Sequence, residues 1–202
     1  MKNVLSLAIL AAVAAPSTYA TSVDYFVGGG MGYHSATVKV EDGDGDIHKE
    51  TAKGAAFHIR GGAYIAEDHR LTLTANFTGD NELDALYIGD AWAKAELAQT
   101  EWLASYDYVH GLNEDFSIFG GATVGYIKNK GIIRGNVGED FKHSESESDF
   151  AFGGQVGVQY HVAQNVSIDG TYRYMGTSYK SKEFADKVSN HSEFIVSLDY
   201  RF

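Results

Sequence analysis

The chain has 202 residues, a formal net charge of −11, 44% hydrophobic residues and no cysteine. This length suits one domain, the acidic balance argues against nucleic acid as a partner, and a chain without cysteine folds without disulfides. With a single proline, nearly every backbone N–H is free to join a strand ladder.

Met1-Lys2-Asn3 precede an apolar run from Val4 to Ala15 and the segment Pro16-Ser17-Thr18-Tyr19-Ala20. A basic start, a short apolar core and small residues at the end predict a secretory signal peptide cut after Ala20. A membrane helix would need roughly 20 apolar residues, more than this run supplies. The expected organisation is therefore a signal peptide at 1–20 and one domain at 21–202. Removing Lys2 leaves 15 basic against 27 acidic residues, a formal charge of −12.

Along an extended chain, side chains alternate between two faces. From 25 to 34 this puts Tyr25, Val27, Met31 and Tyr33 on one face and Phe26, Gly28, Gly30, Gly32 and His34 on the other. The bare glycine face is expected to admit long side chains from the opposite wall of a narrow barrel. No helical pattern follows these glycines, which counts against a nucleotide-binding loop. Residues 35–53 read as a polar loop whose Glu41-Asp42-Gly43-Asp44-Gly45-Asp46 has acids at alternate positions. Ile47 and Lys53 stand where a calcium loop needs glycine and a bidentate glutamate, so a solvated hairpin tip is predicted, with no metal and no cofactor.

A second strand from about Ala55 to Ile65 sets Phe57, Ile59, Ala63 and Ile65 against His58, Arg60 and Tyr64. A short turn at 66–69 leads to a third, with Leu71, Leu73, Ala75 and Phe77 against Arg70, Thr72, Thr74 and Asn76. Residues 79–98 form a second long connection, where periodicity leaves a short helix and extended strand ends both open. The fourth strand sets Trp102, Ala104, Tyr106 and Tyr108 against Glu101, Leu103, Ser105, Asp107 and Val109. After the turn at 111–115, the fifth sets Ile118, Ala122, Val124 and Tyr126 against Phe119, Gly121, Thr123 and Gly125. A third long connection, 128–149, carries the acid-serine run at 144–148. The sixth strand opposes Phe150, Phe152, Val156, Val158 and Tyr160 to Ala151, Gly153, Gln155, Gly157 and Gln159. The seventh opposes Val166, Ile168, Tyr172 and Tyr174 to Ser167, Asp169, Thr171 and Arg173. A fourth long connection, 177–190, precedes the last strand, which sets Phe194, Val196, Leu198, Tyr200 and Phe202 against Glu193, Ser197, Asp199 and Arg201.

Eight strands joined by alternating short and long connections predict an all-β fold, an eight-stranded antiparallel transmembrane β-barrel with short periplasmic turns and four long extracellular loops. The last strand closes on the first, because an open edge cannot stand in a bilayer. A soluble barrel would turn its apolar face inward around a ligand. Tyr25 and Tyr33, Trp102 and Tyr108, Phe116 and Tyr126, and Phe194 and Phe202 instead mark both ends of their strands, as two interfacial girdles require. Leu73, Val156 and Leu198 then face lipid, and a charge at Leu73 is expected to cost more than one at inward Thr74.

Inside the barrel the pattern places Arg60, Arg70, Arg173 and Arg201 with Glu101, Asp107, Asp169, Glu193 and Asp199. Nearly balanced signs predict a polar plug, with Arg60, Arg173 or Arg201 pairing with Glu101, Asp107, Asp169 or Asp199; the alternative is a narrow gated pore. A lipid A-modifying enzyme is the other alternative. A His and Ser that cooperate on one strand need i,i+2 spacing, and none of the eight histidines has it; partners from separate strands stay open.

The segments Tyr25-Phe26-Val27-Gly28-Gly29-Gly30-Met31-Gly32-Tyr33, Ile168-Asp169-Gly170-Thr171-Tyr172-Arg173-Tyr174 and Leu198-Asp199-Tyr200-Arg201-Phe202 resemble the small outer-membrane β-barrel family of Gram-negative bacteria, which includes the OmpA membrane domain and the opacity-type and OmpX-type surface proteins. The resemblance implies insertion in the outer membrane among lipid and lipopolysaccharide, as a monomer delivered by the barrel-assembly machinery. In that family the terminal aromatic is the assembly signal, which implies this role for Phe202, supported by Tyr200 and Leu198. The resemblance implies fold and location more than function, and the expected role is a non-enzymatic structural anchor whose loops serve surface interaction or envelope integrity, with a host surface or matrix ligand as the expected partner of the loops.

Overall fold

The computed structural model describes residues 22–41, 47–88, 91–136, 140–177 and 187–202. The expected signal peptide, the acidic tip at 42–46 and most of the connection at 177–190 lie outside them. Eight strands follow in chain order: β1 Val23–Glu41, β2 Ile47–Ile65, β3 His69–Ile88, β4 Ala91–Gly111, β5 Phe116–Asn136, β6 Asp140–Ala163, β7 Val166–Thr177 and β8 Lys187–Arg201. Each pairs antiparallel with its neighbours, and β1 pairs with β8, so the sheet closes into a barrel. The closing seam sets Tyr33 opposite Phe194, Met31 opposite Val196 and Val27 opposite Tyr200.

Alternation settles which face is which. Met31, Trp102, Phe152 and Val156 are 59–70% exposed, while Glu101, Asp107, Asp169 and Glu193 are at most 1% exposed. Apolar outside and polar inside is the reverse of a soluble barrel. The outward aromatics bound a belt: Phe116 to Tyr126 on β5 and Phe150 to Tyr160 on β6 are each separated by ten residue steps. At about 3.3 Å per residue and a tilt of about 40°, that is roughly 25 Å, the height of an outer-membrane apolar band.

The strands are much longer than the belt. The stretches 35–53, 79–98 and 128–149, expected as loops, are largely legs of hairpins: β3 continues to Ile88, β4 starts at Ala91, β5 runs to Asn136 and β6 starts at Asp140. These three long connections therefore project beyond the belt as strand, which answers the question left open at 79–98 in favour of extended strand ends. Beyond Tyr126 the outward side chains of β5 become Lys128 and Lys130, so the water-facing ladder continues after its hydrophobic pattern stops. At the other end the turns are short. Ala66 and Glu67 both have positive φ, 54° and 67°, which matches the twist of a tight hairpin. Asn113 Oδ1 accepts the backbone N–H groups of Asp115 and Phe116, both at 2.9 Å.

The glycine face of β1 has a different cause from the one expected. A Cβ on Gly30 would run into the Val196 carbonyl oxygen, Ser197 Cα and the His58 ring, and one on Gly28 into the Asp199 carboxylate. These groups belong to β8 and β2, the strands beside β1, not to the opposite wall. The His58 ring and the Asp199 carboxylate lean across the bare strand, and the β8 backbone passes close beside it.

A charge in the apolar belt has no partner. Val156→Arg, midway along the β6 belt, is expected to lower stability by about 2–4 kcal/mol. Leu112→Arg, in an exposed turn, should change it by less than about 0.5 kcal/mol, as read by urea unfolding in lipid vesicles. Thr74 is no cheap site for a charge. It is 4% exposed and stands opposite Arg60 in the β2–β3 register, so an arginine there would be both overpacked and beside a like charge.

Candidate functional site in the barrel lumen

Inward side chains of β2, β3, β4, β6, β7 and β8 meet in one hydrogen-bonded network. At its centre Arg70, 0% exposed, donates to Asp107 Oδ2 through Nε (3.1 Å) and Nη2 (3.0 Å), and to Asp169 Oδ2 through Nη1 (2.6 Å). Arg60 donates to Asp199 through Nε (2.8 Å) and Nη2 (2.6 Å), and to Asp169 Oδ2 at 2.8 Å. Two guanidinium groups thus share one carboxylate and bring β2, β3, β7 and β8 together. The Arg70 guanidinium also lies 4.1 Å from the Phe119 ring centroid, so its remaining face meets an aromatic surface rather than water.

Neutral amides extend the network. Gln159 Nε2 donates to Asp169 Oδ1 and Tyr64 Oη, both at 2.8 Å. Gln155 Nε2 donates to Asp107 Oδ1 at 2.8 Å and its Oε1 accepts from Arg173 Nε at 3.0 Å. Arg173 Nη1 then reaches Glu193 Oε2 at 3.4 Å, and Asn76 Nδ2 bridges Glu193 and Glu101. The ladder thus runs from the turn side of the lumen toward the hairpins without leaving the interior.

The structure brings together Arg60, Arg70, Asp107, Asp169 and Asp199 as a tier of paired charges. Arg173 joins Glu193, not the acids expected for it, and Glu101 lies with Asn76 and, at 3.4 Å, with His191 Nε2. Among the described residues Arg201 forms an ion pair with none of the expected acids; its guanidinium stacks 3.9 Å from the Tyr64 ring centroid at the turn-side mouth. Leu198 and Tyr200 stand outward on β8 and Phe202 follows directly after its end, the three being 53–65% exposed. Phe202 N donates to Tyr25 O at 2.9 Å, and its ring stacks on Tyr25 with centroids 6.5 Å apart.

Residues missed by the sequence reading are Tyr64, Asn76, Gln155 and Gln159 as linkers, and the buried histidines His34, His58 and His191. Their inward parity was legible; their convergence depends on register between distant strands. His58 Nε2 and Ser197 Oγ, on β2 and β8, are 2.9 Å apart, the cross-strand His–Ser encounter that spacing within one strand cannot reveal. Both are at most 2% exposed.

An eight-stranded barrel with an apolar belt outside and a closed polar ladder inside defines a small membrane-spanning β-barrel. Residues 5–202 match the family described as outer membrane protein beta-barrel domain, and the chain belongs to that family. In fold it is similar to Neisserial surface protein A (NspA), at 20% identity and a TM-score of 0.55, with 90% of this chain and 99% of that one covered. It is likewise similar to Ail, the attachment invasion locus protein of Yersinia pestis, in a crystal structure with the heparin analogue sucrose octasulfate. That match has 17% identity and a TM-score of 0.52 over 90% of this chain and 99% of that one. No curated protein matches the chain by sequence.

Proposed function

We propose that this outer-membrane barrel is a non-enzymatic anchor that carries its long hairpins into the medium, with a lumen that is a plug and not a passage. The observation that carries this reading is the buried Arg60–Asp169–Arg70–Asp107 tier, which spans the interior with paired charges. The belt of Trp102, Tyr126, Phe152 and Tyr160 sits in outer-membrane lipid and lipopolysaccharide. Closure of β1 on β8 uses both sheet edges, which leaves no strand edge for pairing with a second copy and supports reading the barrel as a monomer. The export segment at 1–20 and delivery by the barrel-assembly machinery, acting on the Leu198, Tyr200 and Phe202 stripe, belong to the same reading. The hairpins serve surface interaction, with host surface or matrix ligands of the kind suggested by Ail's complex with a heparin analogue.

Asn129 and Glu147 face each other across the β5–β6 hairpin, so residues 130–146 can be replaced there by a tight turn. The shortened protein is expected to fold with the usual mobility difference between unheated and boiled samples, and to lose binding to immobilised heparin or matrix proteins where the full chain binds. Loss of folding would contradict the division between anchor and hairpin.

A further inference from the structure

Above the ion-pair tier, on the hairpin side of the lumen, three buried side chains converge from three strands: His34 of β1, Glu101 of β4 and His191 of β8. Each is 1% exposed. One donor atom from each lies within 4.8 Å of the other two. His191 Nε2 is 3.4 Å from Glu101 Oε1, and His34 Nδ1 is 3.5 Å from Glu193 Oε1. Yet none of the four imidazole nitrogens makes a hydrogen bond, and neither does Glu101 Oε1. Buried polar atoms without a hydrogen bond are costly, at about 1–3 kcal/mol each, and here five of them, held by no more than the two long contacts just given, are gathered in one small volume.

We propose that His34, His191 and Glu101 form a binding site for a divalent transition-metal ion of the zinc class. Two imidazoles and one carboxylate are a ligand set that such ions favour over calcium or magnesium, which prefer oxygen alone. The spacing fits. Ligands at about 2.0–2.1 Å around a tetrahedral ion lie roughly 3.3–3.4 Å apart. The His191–Glu101 pair already has that separation, and ring rotation of His34 closes the wider gap. Glu193, held by Asn76 and Arg173, stands beside His34 Nδ1 and orients that ring, as carboxylates commonly do behind a metal-ligating histidine. The ion would tie the first strand, the last strand and β4 together across the lumen. The site is independent of the anchor reading and would hold equally in a pore.

The test uses the whole refolded protein, stripped with a chelator and titrated calorimetrically with Zn²⁺. One ion per chain is expected. His34→Ala, His191→Ala and Glu101→Gln should each weaken binding at least about tenfold, the lower limit for disturbing even an outer partner of a metal site. His110→Ala, at an exposed position, should bind as the wild type does. Folding of each variant is checked by its unheated gel mobility. Because a lumen variant can fail to fold, the wild type is also loaded with Cu²⁺, whose electron paramagnetic resonance should show splitting from two imidazole nitrogens. Zn²⁺ binding unchanged in a folded His34→Ala/His191→Ala double variant, no binding by the wild type, or a copper spectrum without that nitrogen splitting would overturn the proposal.

Discussion

A Tyr200→Ala/Phe202→Ala variant is expected to disappear from the outer-membrane fraction while still refolding from urea into lipid vesicles. In the folded barrel, Phe202 contributes one backbone hydrogen bond to Tyr25 and one stacked ring pair. The alanine variant keeps the backbone bond and loses a ring pair worth about 0.5–1.5 kcal/mol, together with the lipid contacts of two belt side chains. Losses of that size weaken a barrel closed by a full β1–β8 ladder but do not prevent its formation. If the outward stripe on β8 is what the assembly machinery reads, delivery in cells fails although the fold remains attainable. Fractionation and refolding, run side by side, separate the two roles. Normal outer-membrane levels would reduce Phe202 to a packing residue, and failure in both assays would make it a structural one.

Arg70→Met is expected to cost about 3–5 kcal/mol, the scale for breaking a buried ion pair from one side. Asp169 would keep Arg60 and Gln159, but Asp107 would be left with Gln155 alone among the lumen partners described. The cost therefore falls mainly on Asp107. Pairing the change with Asp107→Leu removes the stranded charge along with its cation, so the double variant should be more stable than the sum of the two single losses predicts. Urea titrations of the two single variants and the double variant read the coupling directly; simple additivity would mean that the two groups do not depend on each other.

Facing was legible in the sequence because lipid and lumen impose opposite demands on neighbouring residues. Trp102 and Tyr106 point out while Leu103 and Ser105 point in, and period two alone says so. Outside the bilayer both faces of a hairpin can meet water, so β3 beyond Thr78 and β5 beyond Ile127 lose the apolar alternation without ceasing to be strand. The glycines of β1 were legible as a need for space, but not what fills it, since Asp199 and His58 reach them through the β1–β8 and β1–β2 registers. The same limit applies to the lumen. Parity placed Arg60, Asp169 and Asp199 inside; only the stagger of strands far apart in sequence decides that Arg173 meets Glu193, that Arg201 lies on Tyr64, and that His34 and His191 meet Glu101.

Single-channel recording of the purified wild-type protein in planar bilayers tests the plug most directly. In the plug reading proposed above, the paired tier of Arg60, Arg70, Asp107, Asp169 and Asp199 closes the cross-section, its charges having exchanged water for one another. The expected record is therefore a baseline with very small or no current steps, and Arg70→Met should increase them if it folds. A large, steady conductance from wild-type protein would contradict the account and make the barrel a diffusion pore.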